Sequence, residues 1–193
     1  MDKSEVTLLV LCGGEGRRAG GIDKPLLSYK GQAILAHILA AFSPVVGQVL
    51  ISANRNLDAY RAYGYPVLVD ENPFEGPLAA LASCRPCIST PWVLVCPGDN
   101  PLVKPGMLEV LVTELESNDT QLDILLVHDR ERVQPLYFLA RSACLPEMEA
   151  ALGEQRAIMR WMDTQKVRQV RLDETFPNIN TEADLINLEM GSE

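Results

Sequence analysis

Near the start of the chain an apolar, β-branched run (Val6, Leu8, Leu9, Val10 and Leu11) stops abruptly at Gly13 and Gly14. A run with no polar face reads as a buried central strand, and such strands belong to parallel sheets covered on both sides. Gly16, Gly20 and Gly21 follow, so five of the nine positions from Gly13 to Gly21 lack a Cβ. Glycines let backbone N–H groups approach a phosphate closely. Arg17, Arg18 and Lys24 place cationic side chains in the same loop. A bare, cationic loop at the end of a strand suits a nucleoside triphosphate. The bland alternative is a glycine-rich turn whose arginines are merely solvated.

Downstream, the same grammar repeats. Ile34, Leu35, Ile38, Leu39 and Phe42 recur at helical spacing within residues 32–42, and residues 45–51 supply a second strand. Residues 56–63 read as a short helix and 65–69 as a short strand that Asp70 ends. Gly76-Pro77 opens the next helix, with proline where its missing N–H costs nothing. Residues 92–96 form another fully apolar strand, delivering Pro97-Gly98-Asp99-Asn100-Pro101. An amphipathic helix (105–116) and a strand (123–127) follow, then a charged turn and residues 134–139 as an antiparallel partner strand. Helical periods over 142–152 and 155–162 and an edge strand over 167–172 lead to a final helix for which Thr181 is the N-cap. Apolar strands alternating with helices predict an α/β fold, with a mainly parallel sheet and one antiparallel strand, in a single domain spanning 1–193.

Composition narrows the function classes. A formal net charge of −9 argues against a general nucleic-acid surface, and against that background the basic loop stands out as a sink for phosphate. No apolar run approaches a membrane span and the first residues lack a signal-peptide form, so a cytoplasmic protein without membrane contacts is expected. Five cysteines, an odd number, fit a reducing compartment. Cys84-Arg85-Pro86-Cys87 has no second C-x-x-C to complete a zinc set, and an ordinary pair at a helix end is the better reading.

Two familiar phosphate motifs fail. Gly14-Glu15-Gly16-Arg17-Arg18-Ala19 satisfies a relaxed dinucleotide fingerprint, but the second strand ends in Ser52-Ala53-Asn54 without the required carboxylate. Lys24-Pro25 is not the Lys-Ser/Thr of a Walker loop. What remains, L-x-G-G-x-G-x-R-x-G-G-x-x-K-x-L, resembles the signature loop of nucleotidyltransferases, and most closely that of the molybdenum-cofactor guanylyltransferases. Their usual form is L-A-G-G-x-x-x-R-M-G-G-x-D-K, and this chain carries Cys12 for alanine and Ala19 for methionine. Three further motifs match in order: Gly76-Pro77-Leu78-Ala79, Asp99-Asn100-Pro101, and Asn178-Ile179-Asn180-Thr181. The resemblance therefore covers nearly the full length, and it implies a Rossmann-like three-layer nucleotidyltransferase fold.

The resemblance also implies roles. Leu11, Cys12, Gly13 and Gly14 would line the nucleotide, Lys24 and Arg18 would offset phosphate charge, and Asp99 would hold Mg²⁺. Asp70 would meet guanine or ribose. Ser52 stands where relatives carry the first asparagine of Asn-Ala-Asn-Arg. Gly76, Pro77, Gln134 (where relatives have histidine), Asn178 and Asn180 are candidates on the pterin side, with a basic residue of 155–162, such as Arg156 or Arg160, for the pterin phosphate. The implied reaction is Mg²⁺-dependent transfer of GMP from GTP to the terminal phosphate of molybdenum-molybdopterin, with hand-over proteins as transient partners. Leu11-Cys12-Gly13-Gly14 follows the guanine form, whereas CTP users tend to L-A-A-G. A cytidylyltransferase or sugar-nucleotide pyrophosphorylase on the same fold, and a non-catalytic nucleotide-binding module, are the alternatives.

Overall fold

The computed structural model describes residues 1–13, 23–70, 75–118, 121–153, 157–174, 176–177, 179 and 182–190. Strand β1 (Val6–Leu11) is buried along its whole length, as its unbroken apolar run requires. A two-stranded hairpin, β2 (Ser28–Tyr29) with β3 (Gln32–Ala33), precedes helix α1 (Ile34–Phe42). This hairpin is absent from the sequence expectation, which began the helix at residue 32. Its turn is Lys30-Gly31, with φ +48 and +80, the left-handed pair that a two-residue hairpin turn demands.

Strand β4 (Gln48–Ser52), helix α2 (Leu57–Arg61) and the two-residue strand β5 (Val67–Leu68) follow, then helix α3 (Pro77–Cys84) and strand β6 (Trp92–Pro97). Helix α4 (Gly106–Asn118) leads to strands β7 (Ile124–His128) and β8 (Val133–Arg141). Residues Ser142–Ala151 wind as a 3-10 helix, not the α-helix that their periodicity predicts. Pro146 lies inside this segment, and without an N–H it cannot sustain the α-helical ladder. Helix α5 (Ala157–Met162), strand β9 (Val167–Arg171) and helix α6 (Glu182–Met190) complete the described chain.

The seven-stranded sheet has the order β5-β4-β1-β6-β8-β7-β9. All pairings are parallel except the two made by β8, which runs antiparallel to β6 and to β7. The expected mainly parallel sheet with one antiparallel strand is what the chain forms. Successive β1 side chains enter opposite layers. Val6, Leu8 and Val10 pack with Ile34, Ile38 and Phe42 of α1 and Leu108 and Leu111 of α4. Leu9 and Leu11 pack with Leu78 and Leu81 of α3, Met148, and Trp161 of α5. Two apolar layers on one sheet explain the three-layer architecture.

After β1 the chain builds outward through β4 and β5 on one side, then returns to place β6 on the other. In open α/β sheets the crevice at the carboxyl ends of strands flanking such a reversal is where ligands bind.

Candidate active site

The carboxyl ends of β1, β4, β5 and β6 converge on one rim. Backbone hydrogen bonds hold them level: Cys12 N–H donates to the Ser52 carbonyl (2.8 Å), Gly98 N–H to that of Leu11 (2.9 Å), and Ala53 N–H to that of Leu68 (3.0 Å). Leu11 and Cys12 are buried, whereas Gly13 is exposed at the lip.

Asp70 forms one side of this rim. The residue is only 7 % exposed, and its carboxylate accepts from the Ser52 hydroxyl (3.1 Å) and the Asn54 amide (2.7 Å). Asn54 closes the pair by accepting from Asp70 N–H (2.9 Å). Ser52 is fully buried, so its hydroxyl supports Asp70 from beneath. A carboxylate offers about four acceptor sites, which leaves capacity at Asp70 for a ligand donor. A Cβ placed on Gly13 would lie 3.2 Å from Asn54 Nδ2 and 3.6 Å from Asp70 Oδ2. The first residue of the glycine loop thus sits directly over this polar pair.

On the other side stand Asp99 and Lys24. Asp99 follows β6 and is half-buried. Burial pushes its carboxyl above the usual carboxylate range, while the Lys24 ammonium acts against that shift. The glycine between them and β1 sets the spacing. A Cβ on Gly98 would meet Cys12 Sγ at 2.8 Å and the Pro25 ring at 2.9 Å. Only glycine lets the end of β6 approach both the end of β1 and the Lys24-Pro25 segment this closely. Asn100 fixes the turn that follows, its side-chain oxygen accepting from Leu102 N–H (2.9 Å).

The structure also supplies a network that the sequence reading did not single out. Asp23 is 9 % exposed and accepts from the Tyr60 hydroxyl (2.7 Å) and the Asn56 amide (2.9 Å), with Arg55 Nε 3.7 Å away. Tyr60 is fully buried, and burial, with the Cys12 thiol and Asp23 beside it, raises its pKa. Cys12 is likewise pushed well up, by burial and then by Asp23, so it is a neutral thiol packed at the centre of the rim. One signal was available: aspartate precedes lysine in the G-G-x-D-K pattern itself.

Of the pterin-side candidates, Gly76 and Pro77 lie exposed at the start of α3. Gln134 is buried near the start of β8, its amide donating to Asp129. Asp129 also accepts from the N–H groups of Glu131 (2.8 Å) and Arg132 (2.7 Å), which ties the charged turn to β8. Arg160 lies exposed on α5. Gly14, Arg18, Arg156, Asn178, Asn180 and Thr181 lie outside the described residues.

Among the described residues, no cluster of three His, Cys, Asp or Glu side chains could hold a metal by itself. A magnesium ion beside a triphosphate needs less, since it usually binds through one or two carboxylates, phosphate oxygens and water. A desolvated Asp99 carboxylate gains from a cation, so the donor set fits that use. No described helix is long and apolar enough to cross a membrane.

Known proteins resemble this chain in sequence and in fold. A Bordetella petrii protein named molybdenum cofactor guanylyltransferase is 39 % identical over 194 residues, covering 97 % of this chain and 99 % of its own. Among solved structures, molybdopterin-guanine dinucleotide biosynthesis protein A from Archaeoglobus fulgidus superposes with a TM-score of 0.76 at 23 % identity, over 96 % of this chain and 98 % of the other. A Mycobacterium tuberculosis protein solved in complex with manganese superposes with a TM-score of 0.71 at 21 % identity, over 97 % and 99 % of the two chains. The family model described as the MobA-like NTP transferase domain matches residues 8–170. That span contains most of β1, the Gly13 lip, Lys24, Asp70 and Asp99, and the chain belongs to the MobA-like nucleotidyltransferase family.

Proposed function

We propose that this enzyme transfers GMP from GTP to the terminal phosphate of molybdenum-molybdopterin, releasing pyrophosphate. The observation that carries the reading is the convergence of Lys24 and Asp99 beside Cys12-Gly13, where β1 and β6 flank the reversal in strand order. The names of curated relatives above 30 % identity favour guanylyl over cytidylyl transfer.

An oxygen of the acceptor phosphate attacks the α-phosphorus of GTP. The bond from that phosphorus to the bridging oxygen breaks, and pyrophosphate leaves with the electron pair. The nucleophile is already ionised at pH 7, so no general base is needed. Positioning and charge neutralisation carry such a transfer. Backbone amides of the glycine loop bind the triphosphate, Lys24 and Arg18 offset its charge, and Asp70 with its Ser52–Asn54 support receives guanine or ribose donors. Asp99 would hold Mg²⁺, which when bound neutralises charge on the phosphates. Gln134, Asn178, Asn180 and the Gly76-Pro77 helix start are the candidates for meeting the pterin. The reaction belongs in the cytoplasm, and its product passes to proteins that insert the cofactor.

The test is pyrophosphate release from GTP and, separately, CTP, with Mg²⁺ and molybdenum-loaded molybdopterin. Release with GTP, lost in Lys24→Ala and Asp99→Ala, is the expected result. Release with CTP alone overturns the guanine assignment. Tight binding of nucleotide without release from either overturns the transferase reading.

A further inference from the structure

We infer that Asp23 is a positioning residue for Lys24, clamping the lysine-bearing segment to the corner between β4 and α2. The inference rests on the role proposed for Lys24 and deepens it.

Lysine carries its charge on a flexible stem, so its use at a phosphate depends on how well its Cα is held. Here both chain neighbours of Lys24 are gripped. On one side, the Asp23 carboxylate is approached by donors from three residues of a single six-residue stretch: Tyr60 Oη at 2.7 Å, Asn56 Nδ2 at 2.9 Å and Arg55 Nε at 3.7 Å. On the other, Pro25 is buried against Gly98. Between them a tight turn closes, with Leu26 N–H donating to the Asp23 carbonyl (3.0 Å) and Leu27 N–H to that of Lys24 (3.0 Å).

The corner that holds Asp23 is itself unusual. Asn56 adopts the left-handed conformation (φ +48), which asparagine tolerates better than most residues and which costs free energy unless its surroundings enforce it. Two residues earlier, Asn54 is paired with Asp70. The stretch Ser52-Ala53-Asn54-Arg55-Asn56 therefore grips the Asp70 side of the rim with its first half and the Lys24 side with its second. Asp23 is the point through which the lysine segment is held in register with the base side.

A side chain that only stabilised the fold would lower the melting temperature and leave kcat of the folded enzyme intact. A positioning residue lowers kcat through Lys24. The experiment is a cycle of Asp23→Ala, Lys24→Ala and the double variant in GTP-dependent pyrophosphate release, alongside amide exchange at Leu26 and Leu27. Tyr60→Phe, which removes one hydroxyl and keeps the packed ring, serves if Asp23→Ala folds poorly. We expect a loss in kcat of about ten- to a hundredfold for Asp23→Ala, with KM for GTP changed less than about threefold. Adding Asp23→Ala to Lys24→Ala should change kcat by less than about twofold, because the two act as one unit. Exchange at Leu26 and Leu27 should accelerate in Asp23→Ala and in Tyr60→Phe. Multiplicative losses in the cycle would overturn the inference, as would unchanged exchange. Absence of pyrophosphate release in the wild type would sink the proposed function, while the exchange measurement would still decide whether Asp23 clamps this segment.

Discussion

The two ends of the central strands are built from different chemistry. At the amino ends of β1, β4 and β6 lies a closed, neutral network. Thr7 is fully buried, and its hydroxyl meets Gln48 Oε1 and Thr90 Oγ1, each at 2.6 Å. Gln48 also accepts from Ser89 N–H (3.0 Å) and donates to the Cys87 carbonyl (2.9 Å). At the carboxyl ends of the same strands stand three carboxylates, Asp23, Asp70 and Asp99, beside a glycine loop and a lysine. Burying an ionised group is costly without partners, whereas a satisfied amide–hydroxyl network is nearly neutral. Where strands need only be tied together, the chain uses uncharged groups. Carboxylates gather at the rim where a polyphosphate and its cation would repay their burial.

This contrast is sharpest at Asp99. Its folded-state pKa is raised, so the native protein resists its ionisation, and the charged form costs stability at every pH above its unfolded pKa of about 3.9. Asp99→Asn should therefore cut turnover by about a hundred- to a thousandfold. In metal-free buffer at pH 7 it should nevertheless raise the melting temperature, because the neutral amide is spared the desolvation of the charged form. Turnover assays beside thermal melts measure both; a fall in melting temperature would break the contrast.

Gly98 and Gly47 pose the same steric question at opposite ends. A Cβ on Gly47 would lie 1.8 Å from the Ser4 carbonyl oxygen, a backbone atom, whereas on Gly98 it meets the Cys12 and Pro25 side chains. Gly98→Ala should push these apart and lower turnover by about ten- to a hundredfold while costing about 1–3 kcal/mol. Cys12→Ala removes the nearest obstructing atom and should restore part of both losses. An additive double variant would show that the clash lies elsewhere. Gly47→Ala should destabilise the fold at least as much, with no second-site repair of that kind.

Thr7→Val tests the neutral end. It leaves Gln48 Oε1 its bond from Ser89 N–H and should cost about 1–3 kcal/mol in denaturant melts, with kcat/KM unchanged in the folded enzyme. A selective loss of turnover would erase the distinction between the two ends.

The smallest effect concerns Asp129. Burial raises its pKa, but hydrogen bonds from Arg132, Glu131 and Gln134 prevail and hold it below the usual carboxylate range. A depressed folded pKa contributes stability above the unfolded pKa near 3.9, lost as pH falls through the folded value. Gln134→Leu removes one of those bonds, and the midpoint of acid unfolding should rise by a few tenths of a pH unit.

Legibility followed the range of the signal. Helix α1 and strands β1, β6 and β9 were readable because periodicity is a local record of which faces are buried. The 3-10 winding of residues 142–151 was missed because apolar spacing there tolerates either helix, and Pro146 decides between them. The β2–β3 hairpin was too short to leave a pattern. Asp99 was legible from a buried strand ending in an acid. The network around Asp23 was not, because its partner Tyr60 is 37 residues away and the hydroxyl of a buried tyrosine carries no mark in the sequence; only the aspartate's place before Lys24 was legible.

Sequence by itself determined the α/β class, the alternation of the main strands and helices, the family signature, and the acids and lysine that carry charge. These follow from hydrophobic period and from residue types whose chemistry few others can replace. Only the tertiary structure decided which donors each carboxylate meets. Asp70 is held by Ser52 and Asn54, Asp23 by Tyr60 and Asn56, and Gly98 wedges between Cys12 and Pro25. Such pairings depend on strand order and on close approaches of a few ångströms between residues distant in the chain. Neither is written in any local spacing.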